Sequence, residues 1–86
     1  MIVHVVITGR GYDGSEAVPE QLTLAAGASI DDALAAIATY LPPGRPLAAS
    51  CLLSVSGQHV GTVGSHVPRT LDEGDELLVI APVAGG

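Results

Sequence analysis

Lysine is absent from these 86 residues, and Arg10, Arg45 and Arg69 are the only basic side chains besides histidine. Against them stand nine aspartates and glutamates, for a formal net charge of −6. A chain so charged is repelled by phosphate backbones and anionic bilayers, which argues against nucleic-acid and membrane-surface partners and for a basic protein surface as its complement. The single cysteine, Cys51, excludes an internal disulfide, and a reducing compartment suits it. It also excludes an iron–sulfur ferredoxin, whose cluster needs a full set of thiolates. No apolar run approaches the ~20 residues of a membrane span, and "MIVHVVITGR" has no basic region ahead of its apolar residues, as a secretory leader would. The expectation is a cytoplasmic protein.

What the chain does have is aliphatic residues. Its 48% hydrophobic content is mostly Val, Leu, Ile and Ala, enough for one small core, and no repeat or linker divides it. The β-branched run from Ile2 to Thr8 reads as a strand with Val3, Val5 and Ile7 on one face and Ile2 and Val6 on the other. A turn in "GRGYDGS" leads to a second strand in "EAVPEQLTL". Pro19 places that strand at a sheet edge, because proline donates no ladder hydrogen bond.

Ser29 then caps a helix, Asp32 completes a capping box, and Asp31 and Asp32 suit the positive end of the helix dipole. Ile30, Leu34, Ile37 and Leu41 form its apolar stripe, and "PPGRP" ends it. "CLLSVS" is a third strand, with Cys51, Leu53 and Val55 opposed to Ser54 and Ser56, and a short fourth strand lies near His59 and Val60. After "LDEGDE" comes the last strand, 77 to 81, with Leu77, Val79 and Ala81 on one face and Leu78 and Ile80 on the other.

Only the first and last strands are apolar on both faces, so they belong at the centre of the sheet. Two hairpin-like halves joined by a helix make them parallel neighbours, with the helix in a right-handed crossover.

Several motifs carry less than they suggest. Gly9 to Gly14 matches G-x-G-x-x-G, with Asp31 about twenty residues on, but the segment that follows alternates like a strand and contains Pro19. A dinucleotide fingerprint must open a helix instead. His4, His59 and His66 lie in separate elements without metal-ligand spacing, and Cys51 reads as a small core residue.

The order of two strands, a helix and further strands resembles the α+β ubiquitin-like β-grasp fold, a mixed sheet with parallel central first and last strands and one main helix packed across it. The C-terminal "LDEGDELLVIAPVAGG" is similar to the end of the MoaD/ThiS family of sulfur carriers, through Leu71, Gly74, Asp75, Glu76, Pro82, Gly85 and Gly86. Length and the "APVAGG" ending are most similar to the small subunit of molybdopterin synthase. The resemblance implies a β-grasp domain over residues 1–82 and a flexible tail over 83–86.

It further implies that a ubiquitin-activating-enzyme-like adenylyltransferase uses ATP to adenylate the Gly86 carboxylate, with Gly85 beside it. A sulfur donor enzyme then converts the adenylate to a thiocarboxylate. The large subunit of the synthase would use that sulfur for molybdenum cofactor biosynthesis. The chain itself would hold no cofactor or metal and would not be catalytic alone.

Leu78, Ile80, Pro82, Val83, Asp75 and Glu76 are the expected partner-binding residues, the acidic turn being placed beside the tail. Leu78, Ile80, Ile2 and Val6 form a docking patch if they lie opposite the helix. Carriers for thiamin, amino-acid or tRNA thiolation, and ubiquitin-like protein modifiers, use the same kind of tail. A non-covalent β-grasp binding module would not need it.

Overall fold

Five strands and one helix account for the regular structure of a computed structural model that describes residues 1–8, 18–44 and 46–81. The strands are β1 (Ile2–Thr8), β2 (Gln21–Thr23), β3 (Leu52–Val55), β4 (Gln58–Thr62) and β5 (Glu76–Ile80), with α1 (Ile30–Ala38) between β2 and β3. They form one mixed sheet in the order β2-β1-β5-β3-β4. β1 and β5 are the parallel pair, in the register Val5 to Leu77 and Thr8 to Ile80, and the other pairings are antiparallel. The two strands that are apolar on both faces are thus adjacent and interior. The G-x-G-x-x-G segment, Arg45 and residues 82–86 lie outside the described residues.

The helix begins as its sequence dictates. The Asp32 N–H donates to Ser29 Oγ at 3.1 Å and the Ser29 N–H donates to Asp32 Oδ2 at 2.9 Å, so both arms of the capping box are made. Its buried residues are Ile30, Ala33 and Ile37, with Leu34 only half-buried, so the core-facing stripe is rotated toward Ala33 from the expected one. The helix stops at Ala38, a turn before Leu41. Tyr40 and Leu41 donate to carbonyls three residues back, the tighter spacing of a closing turn. Pro42 disfavours the helical conformation at Leu41, whose side chain still packs against the core.

β2 is much shorter than the nine residues its pattern suggested. The Val5 N–H still donates to the Glu20 carbonyl, and in this register Pro19 falls opposite Val6 with its nitrogen directed away from β1, the position proline tolerates on an edge strand. β4 is longer than expected and carries a bulge. Leu53 pairs with Gly61 and Ser54 with His59, so Val60 is the extra residue, and it turns into the core.

Residues 65–67 fold back along the outside of β4, with the Val67 N–H donating to the Val60 carbonyl and Gly61 bridged to His66. This covers part of an otherwise open sheet edge. Gly61 makes the fold-back possible. At φ +129° it occupies a conformation closed to other residues, and a Cβ there would collide with the Ser65 carbonyl oxygen and lie 2.8 Å from His66 Cα. Gly61→Ala is expected to lower stability by about 2 kcal/mol or more, measured by urea unfolding. An unchanged midpoint would mean that the fold-back segment yields at no cost.

The core lies between α1 and one face of the sheet. Val3, Leu53, Val55, Leu77, Val79, Ala33, Ile37 and Cys51 are all completely excluded from solvent. Among the described residues no helix is long and apolar enough to cross a membrane.

Candidate functional site

The parity of β5 is settled by what α1 covers. Leu77, Val79 and Ala81 point into the core, so Leu78 and Ile80 must point to the opposite, uncovered face. Register then gives them neighbours. Val6 lies beside Leu78 on one row, and Thr8, Ile80 and Leu52 share the next. Val6 and Leu52 are each 43% exposed, so the open face carries an apolar strip of Val6, Leu78, Ile80 and Leu52 across β1, β5 and β3, while Ile2, 40% exposed, is set apart from it by the row of His4 and Glu76. These side chains are the apolar residues that the open face of the central strands presents.

Leu52 was not among the expected patch residues. The alternation that puts Leu53 and Val55 in the core puts Leu52 with Ser54 on the open face, so the signal was present in the sequence.

An acidic turn closes one end of this strip. The Asp75 N–H donates to the Asp72 carbonyl at 3.0 Å, with Gly74 at φ +83° supplying the left-handed residue the turn needs. The turn is pinned to the first strand. The Gly74 N–H donates to the Ile2 carbonyl, the His4 N–H to the Asp75 carbonyl, and the Ile2 N–H to Glu73 Oε2 at 2.9 Å. The Asp75 carboxylate accepts from the Asp72 N–H at 2.8 Å and from the Ser56 hydroxyl at 2.7 Å, and Ser56 Oγ accepts from the Glu76 N–H. Ser56 adopts φ +47° in the β3–β4 turn, unusual for a non-glycine residue, and these bonds hold it there. Glu76 and Glu20 flank a groove beside His4 and Val6, adding negative charge at the same end.

The Asp72 N–H and then the Ser56 hydroxyl hold the Asp75 carboxyl below the usual carboxylate range; burial opposes them, and the Arg69 charge adds a lesser lowering effect. Because the folded-state pKa is depressed, the ionised group stabilises the fold fully above the ordinary carboxylate pKa. That contribution disappears as pH falls through the depressed value. The stability gap between the wild type and Asp75→Asn is therefore expected to be full near neutral pH and to narrow in acid. Urea melts across that range test it, and a constant gap would show that the carboxylate charge contributes nothing.

The acidic turn and Ala81, the last described residue before the tail, stand at opposite ends of β5. Asp75 immediately precedes β5 and Glu76 begins it, whereas Ala81 follows its end, where its N–H donates to the Thr8 carbonyl. A five-residue strand is ~17 Å long. Six residues separate Asp75 from Ala81 in sequence, and the extended chain turns that proximity into the full length of the sheet. Pro82, Val83, Gly85 and Gly86 lie outside the described residues.

The remaining candidates are structural. His66 Nδ1 lies 2.8 Å from the Thr62 carbonyl oxygen and Nε2 lies 2.9 Å from Asp31 Oδ1, joining the fold-back segment to the start of α1. Sequence pattern gave no hint of this pairing, because its partners are 4 and 35 residues away. Among the described residues no group of three or more His, Cys, Asp or Glu side chains is placed to hold a metal ion. Cys51 is buried in the core.

No protein-family model, no curated protein and no solved structure matches the chain.

Proposed function

We propose that this chain is a ubiquitin-like β-grasp sulfur carrier of the MoaD/ThiS kind, working in the cytoplasm as the sulfur-donating small subunit of a molybdopterin synthase. One observation carries the reading. The apolar strip of Val6, Leu78, Leu52 and Ile80 runs along the central strands to the end from which the chain continues to Gly85 and Gly86. A rigid surface that docks on a partner while a slender tail enters its active site is what such a carrier requires. Two glycines pass a narrow channel because they lack Cβ atoms, and docking of the body offsets the ~1–2 kcal/mol lost for each tail residue that is fixed.

In this mechanism a ubiquitin-activating-enzyme-like partner joins the Gly86 carboxylate to the α-phosphate of ATP, releasing pyrophosphate. Sulfide-level sulfur (HS−) delivered by a donor enzyme bonds to the acyl carbon, the acyl–phosphate bond breaks, AMP leaves, and a thiocarboxylate remains. The sulfur atom then passes to the pterin precursor on the large subunit, and the tail returns as a carboxylate. The carrier supplies the reacting atom and its partners supply the catalysis. The acidic turn, ~17 Å from the tail's exit, engages basic residues at the far edge of the docked face.

The test is to incubate the chain with ATP, an activating enzyme and a sulfur donor, and to measure its intact mass. Replacement of one oxygen by sulfur at Gly86 is expected, followed by dithiolene formation when a large subunit and the cyclic pterin precursor are added. Thiazole synthesis without dithiolene would reassign the pathway to thiamin and leave the carrier class standing. Failure to form any thiocarboxylate, with lysine-linked conjugates of the chain appearing in cells, would replace the reading with that of a protein modifier.

A further inference from the structure

We propose that the chain is built as an acyl donor that cannot close an amide on itself, because composition and topology together keep its own amines away from its activated end. This rests on the reading of Gly86 as the activated residue. An acyl adenylate is attacked by amines: the nitrogen bonds to the acyl carbon, AMP leaves, the nitrogen loses a proton to solvent, and a stable amide results. For a carrier that reaction is a dead end, since the amide cannot accept sulfur.

Three features oppose it. These 86 residues contain no lysine, so no side-chain amine exists on the donor or on a second copy. The one thiol, Cys51, is completely buried. The third feature is the parallel pairing of β1 with β5. It puts the start of β1 and the end of β5 at opposite ends of the sheet, with Thr8, not Met1, beside Ala81. From Thr8 back to the Met1 amine is seven strand residues, ~23 Å. The five residues 82–86, fully extended, reach at most ~18 Å.

The Met1 ammonium is also held in the sheet, donating to the Leu24 carbonyl at 3.0 Å while the Leu24 N–H donates to the Met1 carbonyl. An antiparallel central pair would have brought this amine beside the tail. Serine, threonine and tyrosine hydroxyls remain as weak nucleophiles without an activating base, and an acyl-imidazole formed on a histidine hydrolyses rather than persisting as a dead end.

The experiment needs no partner, so it fails or succeeds independently of the carrier reading. The 86-residue chain is prepared as a C-terminal alkyl thioester, incubated at mildly alkaline pH, and followed by intact mass. The wild type is expected to give only the hydrolysed acid. Thr8→Lys places an amine beside the tail's exit and is expected to give the internal amide, with the mass of the acid less one water. Thr23→Lys, exposed beside Ile2 at the far end, should form at least tenfold less internal amide than Thr8→Lys. Circular dichroism confirms that each variant is folded.

Cyclic amide from the wild type at the rate of Thr8→Lys overturns the proposal. Equal cyclisation by the two lysine variants also overturns it, because reach would then not be limiting. So does a folded Thr8→Lys that only hydrolyses, since missing amines would then not explain the inert wild type.

Discussion

Removing Gly85 and Gly86 is expected to leave the unfolding transition unchanged within ~0.5 kcal/mol and to abolish thiocarboxylate formation. Among the described residues the hydrophobic core runs from Val3 to Ala81, and a glycine has no side chain to add to it. Activation, by contrast, needs a carboxylate at the end of a chain thin enough to enter the adenylating site. Truncation leaves a carboxylate on Ala84, two residues short and carrying a Cβ. Fixing a tail costs ~1–2 kcal/mol per residue, and a docked body cannot make up for a reacting atom that does not reach. Urea melts and an ATP-dependent mass shift measure the two halves. A loss of stability beyond about 1 kcal/mol would assign the glycines a structural role. Retained activation would move the reacting group elsewhere.

Ile80→Asp should separate docking from folding, and Val79→Asp should not. Ile80 is half-buried on the open face between Thr8 and Leu52, where a carboxylate stays in contact with water. Its cost to the fold is about 1 kcal/mol, the span of strand preference. In a complex the same position is covered, and losing an apolar contact contributes ~1.5–3 kcal/mol, roughly 10- to 100-fold in affinity. Val79, one residue earlier, is wholly excluded from solvent. A carboxylate there is buried without a partner, at several kcal/mol in a domain whose whole stability is on the order of 5–15 kcal/mol. Titration of each variant against the activating enzyme, beside its urea melt, tests the contrast. If Ile80→Asp binds as tightly as the wild type, the open face is not the docking surface.

The linear sequence determined the features that depend on neighbours a few residues apart. Ser29 and Asp32 specify the start of α1 by hydrogen bonds spanning three residues. Period-2 alternation separates Leu77, Val79 and Ala81 from Leu78 and Ile80, and apolarity on both faces marks β1 and β5 as the central pair, which the sheet makes parallel neighbours. The absence of lysine is fixed by composition alone.

Only the tertiary structure decided which of the two β5 faces is open, because alternation defines two faces without saying which one a distant helix covers. It likewise decided that Leu52 joins the strip, through pairing with Ile80 from 28 residues away. The separation of the acidic turn from Ala81, and of Met1 from Ala81, also emerged only in the fold. Neighbours in sequence move apart by ~3.3 Å per residue along an extended strand, and whether two chain ends share one end of a sheet depends on the direction in which its central strands are paired.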